Sequence, residues 1–218
     1  MKKMKYEELS PRIQEKVREK VVDWYFDDDL WYESVLEEFV ENMNEKYGFD
    51  LDRKDVEFNV SYSQSDYAMI QINSNVKAEF MIPYMKEIAA NVKDGNDRKL
   101  IEKKLTDKSC LEYLRIKSKI YNRHQDEFDY YDFDEISHEL SILLDNGDIS
   151  KESHDEAMDM IDEVGDKMSH ELYEKMSEDV ENFYSLLQDE IEYFWEEENV
   201  VKYIKDCGYE FDEDGNLL

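Results

Sequence analysis

Between Lys167 and Trp195, apolar residues return every three or four positions: Leu172, Met176, Val180, Phe183, Leu187, Ile191 and then Phe194 or Trp195. Acids fill the positions between them, at Glu171, Glu174, Glu178, Glu181, Asp189, Glu192 and Glu196, with Glu197 just beyond. A segment of this kind is stable only as a helix that buries its stripe and leaves its carboxylates in water. Few lysines stand four residues away to neutralise those carboxylates. The rest of the chain must therefore supply an apolar surface long enough to receive the stripe.

Charge is distributed very unevenly. The chain has 57 acidic and 27 basic side chains over 218 residues, a net of −30. Residues 1–125 carry 25 acids and 22 bases, whereas residues 126–218 carry 32 acids and 5 bases. Between Lys93 and Arg123 the sign reverses, with 10 bases against 5 acids. Aromatic residues make up 13%, which sets the chain apart from disordered acidic segments, since those are poor in rings. A charge this large opposes compaction by self-repulsion, so it is expected to be offset or used. It also disfavours direct binding to nucleic acid or to anionic membranes.

The N-terminal half reads as alternating structure types. Ser10-Pro11 is a helix start, followed by Ile13, Val17, Val21 and Trp24 at helical spacing. A second helix carries Trp31, Val35, Phe39, Met43 and Tyr47, and Gly48 stops it. Val56, Phe58, Val60 and Tyr62 alternate with polar residues, as do Ala68, Ile70 and Ile72, so Ser63-Gln64-Ser65-Asp66 is expected to join an antiparallel pair. In that turn Gln64 and Asp66 are expected to cap its own amides. Helices are expected over 84–92 and 97–108. In YLRIKSKIYN, Leu114, Ile116, Ser118 and Ile120 alternate with Arg115, Lys117, Lys119 and Tyr121, a strand with one basic face. Another strand is expected over 128–134.

The C-terminal part reads as helical throughout, with a break at Asn146-Gly147, a helix over 150–164, the long helix from about Lys167, and a short one over 198–206. The expected fold class is α+β: a small antiparallel sheet of about four strands, N-terminal helices, and a long acidic C-terminal helical region. Residues 1–135 form the α+β part and 136–218 the acidic helical part, in one integrated unit. The apolar stripe would serve a core or a homodimer equally well.

Signatures of chemistry are missing. There is no GxSxG, no HExxH, and six glycines leave little room for a phosphate loop. His124, His138, His154 and His170 are too far apart for metal-ligand spacing and suit solvent-facing or capping roles. The tail DEDGN begins a calcium-loop spacing but lacks the glutamate at its twelfth position. Cys110 and Cys207 are expected to be reduced, partly buried thiols. The start MKKMKYEEL has no apolar stretch of signal-peptide length, and no run approaches the ~20 apolar residues of a membrane span. The expectation is a non-enzymatic protein of the bacterial host cytoplasm, without cofactor, metal or membrane contact.

Three segments carry a resemblance. The helix over 10–25 with its WY, then LWYESVLEEF, then DVEFNVSYSQSDYAMI resemble the layout of a family of phage and prophage proteins often labelled antitoxin-like. That family shows a helical A-W-Y start, a W-W-x-x-V-Y-x-D-F helix and a strand pair around F-S-G-F-x-S-Q-G-D-G-A. The ending IEYFWEEENVVKYIKDCGYEFDEDGNLL is similar to the family's closing Y-E-Y-L-T-S-D-E-x-V and N-x-Y-E-F-x-E-D-G pattern. The likeness covers about half of the chain, and the stretch around 136–165 has no counterpart. Where the family has G-D-G, this chain has Ser65-Asp66-Tyr67, which disfavours a backbone-lined binding loop. The resemblance implies a phage or mobile-element protein.

Three functions follow as expectations. In the first, the acidic helix imitates the phosphates of DNA and blocks a host DNA-binding defence protein such as a restriction or CRISPR nuclease, through Glu171, Glu174, Glu178, Glu181, Asp189, Glu192, Glu196 and Glu197 together. In the second, an antitoxin-like module neutralises a basic partner. In the third, the basic patch of Arg115, Lys117 and Lys119 binds nucleic acid directly, under restraint by the acidic region.

Overall fold

In the computed structural model, residues 3–27, 29–60, 66–111, 115–122, 130–131 and 134–218 are described. Pro11 opens α1 (Pro11–Asp27), and Ser10 accepts the first helical hydrogen bonds, from the Ile13 and Gln14 amides. A short 3-10 turn (Asp29–Tyr32) precedes α2 (Glu33–Tyr47), which ends at Gly48 in the left-handed region, φ +78°. The chain then forms β1 (Val56–Asn59) and β2 (Tyr67–Asn75), paired antiparallel with Val56 opposite Ile70 and Phe58 opposite Ala68. The expected hairpin is thus present. Most of its turn, with Gln64, lies outside the described residues; Asp66 is buried and accepts a long hydrogen bond from the Tyr184 hydroxyl, 3.4 Å.

Helices α3 (Ala78–Ala90), α4 (Gly95–Leu105) and α5 (Lys108–Leu111) follow. The first begins six residues earlier than the sequence suggests, because the helix accommodates Pro83 in its second turn and does not start behind it. Strand β3 (Arg115–Tyr121) pairs antiparallel with β2, and a two-residue β4 (Tyr130–Tyr131) adds to its other edge. The sheet therefore has three strands of useful length, and about four full strands overstates it. Much of the expected 128–134 strand lies outside the described residues. The inner face carries Val56, Ala68, Ile70, Ile72, Ile116 and Ile120, all buried; the outer face shows Glu57, Gln71, Asn73, Lys117 and Lys119 to water. This is the alternation of an antiparallel sheet covered mainly on one side, with Met69 as a buried exception on the outer face.

The last elements are α6 (Asp134–Asp145), α7 (Lys151–Trp195) and α8 (Glu197–Asp206). The expected break near residue 165 does not occur, and α7 runs for 45 residues. A glycine inside a helix costs about 1 kcal/mol, but Gly165 is buried in an apolar stripe that continues through Val164 and Met168. That uninterrupted burial outweighs the local propensity. The stripe is consumed within the chain: Ala157, Ile161, Val164, Met168, Leu172, Met176, Val180, Phe183, Leu187, Ile191 and Phe194 are all buried, and Trp195 is 55% exposed.

Two compact units share these elements. One comprises Met1–Glu37 with Ser185–Leu218, the other Glu38–Tyr184. The sequence division at residue 135 coincides with neither boundary. The first unit closes around Tyr6, Leu9, Val17, Val21, Phe194, Val200, Ile204 and Phe211. Its tail is fixed by Asp212, whose carboxylate accepts hydrogen bonds from the Asp214 and Asn216 amides and the Asn216 side chain, all 2.9 Å. The acid of the calcium-like DEDGN stretch thus serves its own turn. In the second unit α7 packs on α2 through stacked Phe39 and Phe183, 4.3 Å apart, and on β1 through Phe58. Cys110 is buried and Cys207 is exposed, and neither is in a disulfide.

By sequence, the first unit holds 21 acids and 9 bases, net −12, and the second 36 acids and 18 bases, net −18. The charge asymmetry along the chain is therefore not an asymmetry between units, because each combines early basic segments with late acidic ones.

The start of α7 is pinned by a carboxylate. Asp97 accepts hydrogen bonds from the Ser150 amide (3.0 Å) and hydroxyl (2.9 Å), and the Ser150 hydroxyl in turn accepts from the Ser153 amide. These bonds, led by the Ser150 amide, hold the Asp97 carboxyl below its ordinary pKa. A depressed folded-state pKa stabilises the fold above the unfolded value of ~3.9 and ceases to do so as pH falls through the depressed value. Asp97→Asn is accordingly expected to lower the urea midpoint at pH 7, with the gap to the parent protein narrowing progressively as pH falls below ~3.9.

Candidate protein-binding surface

The acids of α7 sort into two sets according to the side of the helix they occupy. On the flanks of the buried stripe, Glu156, Glu171 and Asp179 meet groups from the N-terminal half of the chain. Lys93 donates to Glu156 from its ammonium (2.5 Å) and its amide (2.9 Å), which holds the Glu156 carboxyl below the usual range. The Tyr84 hydroxyl donates to Glu171 at 2.6 Å, and burial together with that bond pushes the phenol well above its ordinary pKa. Asp179 accepts from Tyr47 at 2.6 Å and from Lys46 at 2.7 and 2.8 Å; burial and the carboxylate raise Tyr47 further still. Partly buried acids are tolerable here because each has a donor.

On the side away from the stripe, Glu152, Asp155, Asp159, Asp162, Glu163, Asp166, Glu174, Glu178 and Glu181 are all exposed. They recur at three- and four-residue steps, with His170 filling the gap between Asp166 and Glu174, and so form one ridge on one helix. All nine belong to the Glu38–Tyr184 unit. Two have imidazole neighbours: His154 lies 3.1 Å from Asp155 and His170 lies 3.3 Å from Glu174. Among the described residues no lysine or arginine pairs with any of the nine. The two lysines within the stretch are engaged elsewhere: Lys167 with Glu87 at 2.7 Å, and Lys175 over the Phe80 ring at 5.2 Å.

At 1.5 Å rise per residue the ridge is about 44 Å long, one carboxylate per ~5 Å. Duplex DNA presents a charge per ~3.4 Å on each strand. The ridge thus reaches roughly two-thirds of the linear charge density of one strand. The buried stripe beneath anchors the ridge to the fold.

The residues expected to bind a partner are divided by this arrangement. Glu174, Glu178 and Glu181 lie on the ridge, while Glu171 is turned to Tyr84. Asp189, Glu192, Glu196 and Glu197 belong to the other unit; Glu197 pairs with Arg18 at 3.1 Å and Glu196 accepts from Asn199 at 3.2 Å. The first half of the ridge, Glu152–Asp166, was not anticipated from sequence. Its signal lies in the three- and four-residue acid spacing, but the sequence pattern assigns those residues to a separate helix over 150–164. In the basic segment, Lys117 and Lys119 are exposed on the outer sheet face, paired in register with Asn73 and Gln71. The Arg115 side chain lies outside the described residues. Lys93 and Lys104 of the same segment are bound to Glu156 and Glu139. His138 is exposed, His154 is half-buried and His124 lies outside the described residues. Among the described residues no three metal-ligating side chains converge, and no helix is long and apolar enough to cross a membrane.

Compared with protein-family models, curated proteins and solved structures, the chain matches none.

Like charges four residues apart on a helix each cost a few tenths of a kcal/mol. Changing Asp155, Asp159, Asp162, Glu163 and Asp166 together to their amides is therefore expected to raise Tm by about 2–4 °C at low salt. The gain should disappear near ~1 M salt, where charges are screened within ~3 Å. Thermal melts at the two ionic strengths measure it.

Proposed function

We propose that this protein is a non-enzymatic inhibitor that presents its acidic ridge in place of DNA phosphates to the basic groove of a host DNA-binding protein, such as a defence nuclease of the restriction or CRISPR kind. The observation that carries this reading is the segregation of charge on α7. The acids that pack against the fold each accept a hydrogen bond from a lysine or a tyrosine, and nine that face water form no close ion pair with lysine or arginine among the described residues. Keeping like charges in a row opposes stability, and a binding role explains why such a row persists. Attraction between this ridge and a basic groove would speed association and be strongly weakened by salt. The phage setting rests on the sequence resemblance, which suits a protein acting inside a bacterial host.

The test is capture of partners from a bacterial lysate on the immobilised protein. The expected partner binds DNA, is released by duplex DNA or by about 0.5 M salt, and is lost when seven ridge acids are amidated but not when one is. A partner that resists salt and duplex and ignores ridge amidation overturns the reading. One observation favours the antitoxin-like alternative: Tyr193 and Trp195 are each more than half exposed, and tyrosine and tryptophan are enriched among hot spots in protein interfaces. A partner held that way would be lost on Tyr193→Ala and kept on ridge amidation.

A further inference from the structure

A pocket of about 360 Å³ lies within the unit formed by the two chain ends. Five aromatic rings line it (Trp24 and Tyr25 of α1, Trp31 of the following turn, and Tyr203 and Tyr209 at and beyond α8), and among the described residues Glu190 is the only charged one that does so. Its volume falls in the range of small-ligand sites.

The rings meet as walls. Tyr25 and Tyr203 are perpendicular within 10°, with centroids 5.4 Å apart, and Tyr203 and Tyr209 meet at 72° and 6.1 Å. Phe194 stacks on one face of Tyr25 at 3.5 Å, so that ring is held in place from behind. The neighbouring Tyr209 phenol, together with burial, raises the phenol pKa of Tyr203. Trp24 is 41% exposed beside this enclosure. Glu190 is half-buried and, among the described residues, has neither a hydrogen bond nor an ion pair. Its charge reaches the rings: after burial, Glu190 is the next cause of the upward shift of the Tyr25 phenol.

Charge decides which ligand class fits. Ring faces carry negative potential and attract cations, most strongly over tryptophan. An anion would be repelled by Glu190. A neutral apolar ligand would remove water from that carboxylate and leave it without a partner. A cation satisfies the carboxylate and the rings together, and among the described residues neither lysine nor arginine lines the pocket to fill that role from within. Leu186 and Tyr193, four residues before and three after Glu190 on the same helix face, add exposed apolar surface suited to an alkyl stem.

We propose that this pocket binds an alkylammonium or guanidinium group, held between the rings of Trp24, Trp31 and the three tyrosines with Glu190 as counter-charge. The site stands on the chain-end unit alone and does not depend on the acidic ridge.

The test titrates the full chain with choline and with its neutral isostere 3,3-dimethylbutanol, following tryptophan fluorescence and ligand proton shifts. Choline should saturate, and bind at least roughly tenfold more tightly than the isostere. Glu190→Gln should weaken choline by a similar factor while leaving the far-ultraviolet circular dichroism and Tm in place. Should that variant fail to fold, Trp24→Leu, at a partly exposed ring outside the core, supplies the same readout. Blocked lysine, trimethyllysine and arginine run alongside distinguish a free headgroup from a side chain of a partner protein, and the probe that saturates lowest identifies the carrier. Equal binding of choline and the isostere, no saturable response to any of the cations, or unchanged binding in both variants overturns the proposal.

Discussion

The structure depends on burial of one side of α7. Eleven apolar side chains from Ala157 to Phe194 go into the core at helical spacing, and each fully buried aliphatic or aromatic residue is worth about 1.5–3 kcal/mol. That term is large enough to carry the helix through Gly165 and to offset repulsion among acids on the opposite side. Without the stripe the same sequence would be a highly charged segment with few internal lysine partners, and helices of that kind are marginal.

Two solutions to the same electrostatic problem occur on this one helix. Where its acids approach the core, the fold brings up Lys46, Tyr47, Tyr84 and Lys93 from the N-terminal half, each within 2.5–2.7 Å of a carboxylate oxygen. Where they face water, no lysine or arginine among the described residues answers them, and solvent screening replaces pairing. The N-terminal half is thus nearly neutral by count, yet several of its cations are committed to acids far along the chain. This leaves the polar outer sheet face, with Lys117 and Lys119, as the remaining exposed part of the basic segment that stands in the sheet.

Much of this was legible in the residues. The alternation in VEFN and RIKSKIY is strong enough to assign strand and face together, because a period of two admits no other reading. The stripe from Leu172 to Phe194 was equally plain. What tertiary burial overrides is the local pattern: the spacing suggests separate helices over 150–164 and from about Lys167, and a helix from 84, whereas packing carries α7 through Gly165 and α3 through Pro83. Missing the continuity hid half of the ridge. The aromatic pocket was invisible for a different reason. Its rings come from residues 24–31 and 203–209, and Glu190 from a third segment, so no window of sequence contains it.

By itself the sequence determined that a long amphipathic acidic helix, a polar-faced antiparallel sheet and a large negative charge must coexist, since periodicity and composition are local properties of the chain. Only the tertiary structure decided which acids are neutralised and which remain on the ridge, because that depends on which distant cations and phenols the packing brings within hydrogen-bond reach. It likewise decided that the charge is shared between two units with nets of −12 and −18, since each unit assembles early and late segments of the chain.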